Sequence, residues 1–324
     1  MASPSSEAKA QHYIPESYLK GFTDKQGSLW VCERFKPIRE SKPKLEANLP
    51  DYYTHADNGE RDETAENVLM QAESRAAQIV RKLANPQCKL TPEDAGRVVI
   101  FIAFMFARVP SWRENLDNVA AQVAPERIVK TASEKKEFYR IWADLEKKNG
   151  KPLGMEPEKL RQYILKGEYD LKQGSKGFNL GAMFTSAFSA VKQLATMGYQ
   201  ALYAPEGSFF LTSDSPVFTL QPDGTGQATI GVGFGWENVE VYFPFNKRAC
   251  FMMKKGIQPK GKIIEAGRVD LINKVTMATA ARCLYSSRGF NRIARLFDEH
   301  GCKIRPGKNA FMNRPPSPEE VELL

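Results

Sequence analysis

Ser208-Phe-Phe-Leu-Thr-Ser-Asp214-Ser-Pro-Val-Phe-Thr-Leu220 is an apolar strand that runs into a polar turn and continues as a second apolar strand. Pro216 has no N–H for a β-ladder and holds Ser215 in the extended region, so no regular strand crosses this point. The stretch therefore predicts that the Asp214 carboxylate and two serine hydroxyls leave the end of a core strand. Such loops often carry function, but an Asp there also commonly closes an Asx turn on its own backbone, and both interpretations stand.

A long amphipathic helix is predicted before this strand pair. From Asp62 to Leu83 the apolar residues recur at intervals of three and four. Glu66 and Glu73 lie together on the border of the apolar face, about 10 Å apart along the axis. Two carboxylates at that separation hold one cation only if their side chains lean toward each other. The alternative is a pair of solvated boundary charges.

The next predicted helix begins where Thr91 can cap it and Pro92 takes the first helical position. Its Val98–Ala107 segment is apolar on every side, which is typical of a central helix and predicts the most buried segment of the chain. Arg108 ends this segment, and an unpaired buried charge is unstable. The carboxylates that we expect to converge on Arg108 are Asp214 and at least one of Glu66 and Glu73.

The rest of the sequence predicts both helices and strands. A short helix follows Pro15, a strand is predicted over 28–35, an apolar-faced helix over 180–195, and a hairpin around Pro244. We therefore predict an α+β fold. In it, a helical layer with a buried central helix packs on a mixed or antiparallel sheet whose strands are drawn from both ends of the chain.

The size of the chain leaves its domain organisation open. With 324 residues, 42% of them hydrophobic and 26% charged, it can bury a sizeable core in one or two lobes. We expect residues 1–10 to form a flexible tail, 11–310 a single interleaved α+β domain and 311–324 a C-terminal tail. The alternative is a split into two domains near 167–177, a loop rich in Gly and Lys.

Positive charge is concentrated in the C-terminal part of the chain. Residues 241–308 contain fifteen Lys or Arg against four Asp or Glu, whereas residues 1–240 contain thirty against thirty-one. A basic segment of this kind attracts the phosphate backbone, so we expect nucleic acid as the partner of region 241–308. The side chains expected to contact it are Lys247, Arg248, Arg288, Arg292 and Arg295.

Several functional classes are disfavoured. The first residues contain no apolar segment of a signal peptide, and the longest apolar run is half of a bilayer span, so we expect a cytoplasmic protein without membrane contact. The five cysteines are widely spaced, with no Cys-x-x-Cys pair, which disfavours structural zinc and a disulfide framework. Gly231-Val-Gly-Phe-Gly235 lacks a third glycine at the spacing of the dinucleotide-binding fingerprint and lacks the following helix, and no nucleotide or haem cofactor is indicated.

Short motifs along the chain resemble those of one protein family. They are His12-Tyr13-Ile14-Pro15 with Tyr18, Leu19 and Phe22; Tyr53; Glu66 with Glu73; Arg108-Val109-Pro110; Ser213-Asp214-Ser215-Pro216-Val217; Phe243-Pro244-Phe245; and Asn273. In this order and spacing they resemble the uncharacterised bacterial and fungal domain-of-unknown-function family forty-two thirty-eight over most of the chain. The resemblance implies a mixed α-plus-β protein with a helical middle, and it implies no reaction.

Two classes of function fit these residues. The first is a divalent-metal-dependent phosphodiesterase or nuclease that acts on nucleic acid. In it, Mg²⁺ or Mn²⁺ is bound by Glu66, Glu73 and Asp214. His12 serves as acid, base or extra ligand, and Arg108 steadies the phosphate. The second is a non-enzymatic nucleic-acid-binding or protein-interaction module, in which the acids and Arg108 form a structural ion-pair network.

Whether the protein is an enzyme stays open at this point, and His12 is the residue that separates the two classes. The catalytic interpretation is favoured if His12 contacts Asp214 and Glu66 or Glu73 in an open cleft, and it fails if the cluster is sealed. A histidine in a sealed cluster beside aromatic residues is a packed or capping histidine instead.

Overall fold

The computed structural model describes residues 9–57, 60–83, 86, 90–169, 176–224, 228–289 and 291–300. The chain divides into two compact units. One contains the residues up to Arg113 and from Lys176 onward, and the other contains the intervening Glu114–Ser175. Most of the predicted N-terminal tail, the whole predicted C-terminal tail and residues 170–175 of the loop at the alternative boundary lie outside the described residues. The single domain over 11–310 stays a prediction.

The fold is α+β, as predicted, with a run of consecutive helices in the middle of the chain and most of the strands on either side of it. The helices are α1 (Glu16–Leu19), α2 (Thr64–Lys82), α3 (Pro92–Ala107), α4 (Pro110–Ser133), α5 (Lys135–Asn149), α6 (Pro157–Lys166), α7 (Lys176–Leu194), α8 (Ala266–Thr279) and α9 (Asn291–His300). Short 3₁₀ turns cover Lys20–Phe22 and Pro43–Leu45. The strands are β1 (Ala10–His12), β2 (Leu29–Glu33), β3 (Arg39–Ser41), β4 (Asn48–Pro50), β5 (His55–Asp57), β6 (Glu60–Asp62), β7 (Gly198–Tyr203), β8 (Thr212–Ser213), β9 (Phe218–Pro222), β10 (Ala228–Ile230), β11 (Glu240–Asn246), β12 (Ala249–Lys254), β13 (Lys260–Ile263) and β14 (Cys283–Ser286).

Two larger sheets organise the first unit. A six-stranded sheet has the order β10-β9-β11-β12-β7-β13 and is antiparallel except for the parallel pair β13–β7. A four-stranded antiparallel sheet has the order β3-β2-β14-β8, and β1–β4 and β5–β6 form separate pairs. Because β2 lies beside β14, strands from both ends of the chain share one sheet, as predicted. The stretch 208–220 joins the two sheets, since β8 belongs to one and β9 to the other.

Strand β11 is buried on both faces because helices cover both sides of the six-stranded sheet. On one face, the ring of Phe243 stacks on Tyr18 of α1 at 5.2 Å and meets Phe101 of α3 edge-on at 5.9 Å, measured between ring centroids. On the other face, Tyr242 belongs to a core that contains Val269 of α8. Neighbouring residues of a strand point to opposite faces, so this apolar run supplies two cores.

Helix α3 begins as predicted. The Thr91 hydroxyl accepts the N–H of Asp94 at 3.1 Å, and the Asp94 carboxylate accepts the N–H of Thr91 at 3.3 Å, which is a capping box. The buried central helix is confirmed, but burial on every side fails at Ile100, which is 40% exposed. Among the described helices, none alone is long and apolar enough to cross a membrane, although the bent pair of α3 and α4 reaches that length and composition together.

The unit formed by Glu114–Ser175 is helical and has its own small core. Phe138 and Trp142 of α5 are buried there with Ala132 of α4. The Arg161 side chain of α6 donates to the carbonyl oxygen of Ala132 at 3.0 Å. One guanidinium therefore ties α6 to the last turn of α4.

Candidate functional site

Arg108, the residue that follows α3, is only 2% exposed and joins three other segments through its guanidinium. Its Nη1 donates to Glu73 Oε1 of α2 at 2.6 Å, its Nη2 to the carbonyl oxygen of His12 at 2.6 Å, and its Nε to the Tyr53 hydroxyl at 3.0 Å. The planar guanidinium suits this arrangement, since its donors point in different directions of one plane. The predicted meeting of Arg108 with one of the two glutamates is therefore found.

The charge of Arg108 is retained despite its burial. Burial by itself disfavours the guanidinium charge, but Tyr53 and Glu73 outweigh that effect and raise the pKa of Arg108. Burial also raises the pKa of the Tyr53 hydroxyl to about 12, so this group is a neutral hydrogen-bonding partner. The network is thus one buried cation held by one carboxylate and two neutral oxygens.

An open cleft of about 420 Å³ lies against this network. It is lined by β1, α1, the following 3₁₀ turn, Tyr53, α2 and Arg108, and we call it the His12 cleft. Its charged and titratable lining residues, besides Tyr53, are His12, Glu16, Lys20, Glu66, Glu73 and Arg108. Three carboxylates therefore face two permanent cations in the cleft, and an anionic substrate would need an additional cation to bind there.

Unlike Glu16 and Glu73, the third carboxylate of the cleft, Glu66, forms no ion pair with a cation among the described residues. Its Oε2 accepts a hydrogen bond from Gln11 Nε2 at 2.5 Å. The same amide nitrogen donates to Thr54 Oγ1 at 2.8 Å, and Gln11 Oε1 accepts the backbone N–H of Tyr53 at 2.6 Å. No hydrogen bond to Glu66 Oε1 is found among the described residues, so this oxygen can accept a donor or bind a cation from the cleft.

His12 adds a group that can transfer protons. Its ring is partly exposed, while its Nε2 is shielded from solvent and has no hydrogen-bond partner within the described part of the chain. Its neighbour Glu16 is paired with Lys20 at 2.8 Å, and the pKa of Glu16 is lowered mainly by Lys20 and less by His12. Since a neutral imidazole carries one donor and one acceptor nitrogen, the unsatisfied Nε2 is suited to meet a ligand atom.

Asp214 lies in a different environment, at the end of β8. It is 6% exposed, and its carboxylate accepts three backbone N–H groups from the turn that leads into β14, those of Ala281 at 2.9 Å, Arg282 at 2.8 Å and Cys283 at 3.1 Å. Its own N–H donates to the carbonyl oxygen of Cys283 at 3.1 Å. Asp214 thus fastens β8 to the turn between α8 and β14 rather than closing a turn on its own backbone.

Asp214 does not join the His12 cleft, contrary to our expectation that it converges with Arg108 and Glu66 or Glu73. Its oxygens are occupied by the backbone of residues 281–283, and it is not among the described residues that line the cleft. Burial raises the pKa of Asp214 to about 6, although the three N–H donors and Arg282 lower it. The neighbouring Ser215 hydroxyl bonds the Ser111 hydroxyl at 2.7 Å, so this motif is tied to the start of α4.

The metal site predicted from Glu66, Glu73 and Asp214 is therefore not assembled from those three side chains. Glu73 is bonded to Arg108, and Asp214 is bonded to the backbone of residues 281–283. Among the described residues, no group of three or more His, Cys, Asp or Glu side chains is positioned to hold a metal ion. Mg²⁺ is commonly bound by only one or two carboxylates together with substrate phosphates, and Glu66 has a free oxygen for such binding.

Two of the predicted nucleic-acid-binding residues are used inside the fold. Lys247 Nζ donates to the carbonyl oxygen of Thr23 at 2.7 Å. Arg248 donates to the carbonyl oxygens of Ala204 at 2.6 Å and Ser208 at 2.9 Å. Both side chains fasten neighbouring loops, and a count of cations along the sequence cannot reveal that use.

The other predicted basic residues lie nearer the C-terminus. Arg288 is exposed and stands over the ring of Phe209 at 5.4 Å, and Arg295 is exposed on α9. The side chain of Arg292 and residues 301–308 lie outside the described residues. Arg288 and Arg295 are therefore the described members of the predicted set that remain available to a partner.

Glu16 and Lys20 line the cleft and Gln11 holds Glu66 there, but none of the three was predicted from the sequence. Glu16 and Lys20 stand four residues apart at the start of a helix, and that spacing is a usable signal. Gln11 carries no such signal, because its contacts with Tyr53 and Glu66 come from segments more than forty residues away. Pairing of β1 with β4, which sets this geometry, is not readable from strands of three residues.

Fold and site together define an α+β protein with a polar cleft built on a buried arginine. Residues 10–290 match the family described as Protein of unknown function (DUF4238), and the chain belongs to that family. The resemblance drawn from the separated motifs is thereby confirmed. No curated protein and no solved structure matches the chain.

Proposed function

We propose that this protein is a hydrolase of phosphodiesters that acts on nucleic acid in the His12 cleft with the help of a divalent cation. The observation that carries the proposal is the convergence of His12, Glu66, Glu73 and Arg108 on one open cleft. Two of these groups retain unused hydrogen-bonding capacity, the Nε2 of His12 and the Oε1 of Glu66. A buried polar atom without a partner, such as the Nε2 of His12, is uncommon in a framework that serves only stability.

Each residue has a distinct role in this proposal. His12 exchanges a proton with the attacking water or the leaving oxygen, and Glu66 holds Mg²⁺ or Mn²⁺ together with a phosphate oxygen of the substrate. The cation, when bound, supplies Lewis-acid polarisation of the phosphoryl group. It also offsets the excess of carboxylates in the cleft. Arg108 and Glu73 act as positioning residues, because the guanidinium holds the His12 carbonyl oxygen.

Cleavage assays test the proposal. Single- and double-stranded DNA and RNA are incubated with the protein in Mg²⁺, Mn²⁺ or EDTA, and the variants His12→Ala and Glu66→Gln are compared with wild type. We expect cation-dependent cleavage that falls by about 100-fold or more in both variants, the usual loss when a general acid–base is removed. Glu93→Gln, at an exposed acid of α3, is the matched control and should cleave like wild type.

The proposal is contradicted by either of two results. One is the absence of cleavage of every substrate in Mg²⁺ and Mn²⁺. The other is cleavage at equal rates by wild type and by folded Glu66→Gln and His12→Ala, which would assign the activity to another part of the chain.

A second candidate function is non-enzymatic binding of nucleic acid through the C-terminal basic region. It is favoured by the exposure of Arg288 and Arg295, which have no carboxylate partner within the described residues. The affinity for a DNA or RNA duplex should then fall steeply with salt, and Arg288→Glu with Arg295→Glu should reduce the slope of log K against log salt by about one per lost phosphate contact. An unchanged affinity in that double variant would remove the basis for this candidate.

A further inference from the structure

A second, much smaller cavity of about 20 Å³ lies at the first turns of two helices. Trp112 and Arg113 of α4 line it together with Lys176 and Asn179 of α7, and Tyr52 is a further wall. A cavity holds a water molecule once it offers about 10–15 Å³ to the centre of a water-sized probe. This space therefore admits one or two atoms of the size of a water oxygen.

The described polar groups of this cavity are mainly hydrogen-bond donors, which favours a ligand with acceptor atoms. Trp112 is only 5% exposed, and its indole N–H is buried without an acceptor among the described residues. The indole nitrogen is a donor only, and the side chains of Arg113 and Lys176 also donate without accepting. Among the described residues that line the cavity there is no Asp or Glu. The lining thus carries two positive charges and an orphaned buried donor.

Lys176 acts electrostatically on Asp51, whose carboxylate already has other partners. Asp51 accepts hydrogen bonds from Arg61 Nη2 at 2.6 Å and from the backbone N–H of Lys9 at 3.1 Å. Its pKa is lowered mainly by Arg61 and only slightly by Lys176. Asp51 therefore does not neutralise the cavity.

We propose that this cavity binds a small oxyanion, such as inorganic phosphate, through the Trp112 indole N–H, Arg113 and Lys176. The starts of α4 and α7 add positive potential, and the end of α3 at Ala107 adds negative potential. The selectivity for an anion therefore rests on the charges of Arg113 and Lys176 and on the indole N–H of Trp112. An oxyanion inserts one or two oxygens into the enclosed space. The site is independent of the proposed cleavage in the His12 cleft and needs no activity there.

Binding of inorganic phosphate to the full chain tests this inference. The melting temperature and the tryptophan fluorescence are followed during a titration with phosphate, with NaCl in place of phosphate at equal ionic strength as reference. We expect a saturable change in both signals for wild type. Lys176→Gln and Arg113→Gln should weaken the apparent affinity by tenfold or more, the effect of losing a charged hydrogen bond of about 1.5–3 kcal/mol.

Two further variants make the result specific. Lys192→Gln, at an exposed lysine in the last turn of α7, is the matched control and should bind phosphate like wild type. Trp112→Phe should weaken binding and abolish most of the fluorescence change. The inference is overturned if wild type gives no saturable response up to about 50 mM phosphate, well above a millimolar dissociation constant. It is also overturned if Lys176→Gln and Arg113→Gln bind phosphate as tightly as Lys192→Gln.

Discussion

Asp214 and Glu66 both lie at the edge of the apolar framework, yet their surroundings are opposite. Asp214 accepts three backbone N–H groups from a distant turn and is almost fully buried. Among the described residues, Glu66 has one hydrogen bond, from Gln11, and it faces an open cleft that it shares with His12. A carboxylate at the end of an apolar element therefore indicates function only when its oxygens do not accept hydrogen bonds from backbone N–H groups.

The largest expected effect on stability comes from Arg108, which joins the cleft to the framework. Arg108→Met leaves the Glu73 carboxylate, the His12 carbonyl oxygen and the Tyr53 hydroxyl without their common donor. We expect a loss of about 3 kcal/mol in the free energy of unfolding, because breaking a buried ion pair from one side strands the other charge. Urea denaturation followed by circular dichroism measures it.

Arg97→Met is the control for this prediction, since Arg97 forms an exposed ion pair with Glu93 and should change stability by no more than about 0.5 kcal/mol. If Arg108→Met lowers the free energy of unfolding by less than about 1 kcal/mol, the Arg108 network does not stabilise the fold around the cleft, which contradicts this prediction.

The second prediction concerns the carboxylate assigned to the framework. Asp214→Asn places an amide NH₂ against backbone N–H donors that now meet carboxylate oxygens. We expect a loss of about 2 kcal/mol in the free energy of unfolding and no change in the rate of cleavage per folded molecule. If Asp214→Asn loses cleavage while its free energy of unfolding is unchanged, Asp214 has a role in catalysis and not in the stability of the fold.

A third carboxylate, Asp94, also has a structural role, at the start of α3. Lys82 holds the pKa of Asp94 below its usual range, and the N–H of Thr91 lowers it further. A lowered pKa means that this contribution to stability is present above the normal pKa of an Asp and disappears as the pH falls through the lowered one. Asp94→Asn should therefore cost about 1 kcal/mol at pH 7.

The same reasoning predicts that the stabilities of wild type and Asp94→Asn approach each other at acidic pH. Urea midpoints at pH 7 and below pH 4 measure this difference. Asp144→Asn, an exposed acid of α5, should show no such pH-dependent difference. A constant gap between wild type and Asp94→Asn across this range would show that the ionised carboxylate is not what stabilises the start of α3.

The smallest effect on stability is expected at Glu66. Glu66→Gln keeps a carbonyl oxygen for the Gln11 amide and removes only the charge. We expect the free energy of unfolding to change by no more than about 0.5 kcal/mol, as for other substitutions outside packed cores. A loss of about 2 kcal/mol or more, measured by the same urea denaturation, would place Glu66 with Asp214 in the framework.

Much of the fold follows from local patterns. The capping residues of α3, its apolar Val98–Ala107 run and the periodicity of 62–83 each predicted a helix that the structure contains. The apolar strand that was predicted to lead from Ser208 toward the turn at Asp214 is shorter in the structure, where only Thr212–Ser213 form β8. The reason is that β8 pairs at the edge of a sheet whose other strands come from distant parts of the chain, and such pairing overrides local propensity.

The site was predicted less completely. The need of a buried guanidinium for an anion correctly joined Arg108 to Glu73, because this argument concerns the energy of one charge. The same argument could not tell that Asp214 meets the backbone of residues 281–283, since a carboxylate is stabilised equally well by N–H donors as by cations. Likewise, the roles of Lys247 and Arg248 depend on which carbonyl oxygens the loops bring near them.

The difference between Glu66 and Asp214 is tested most directly by a crystal soaked in Mn²⁺ and measured at an X-ray energy where manganese scatters anomalously. A cation bound to the free oxygen of Glu66 gives an anomalous peak in the His12 cleft at roughly 2.2 Å from that oxygen, and none near Asp214. Our account predicts this single position, with the peak lost in Glu66→Gln. A peak at Asp214, or no peak in the His12 cleft at saturating Mn²⁺, would contradict it.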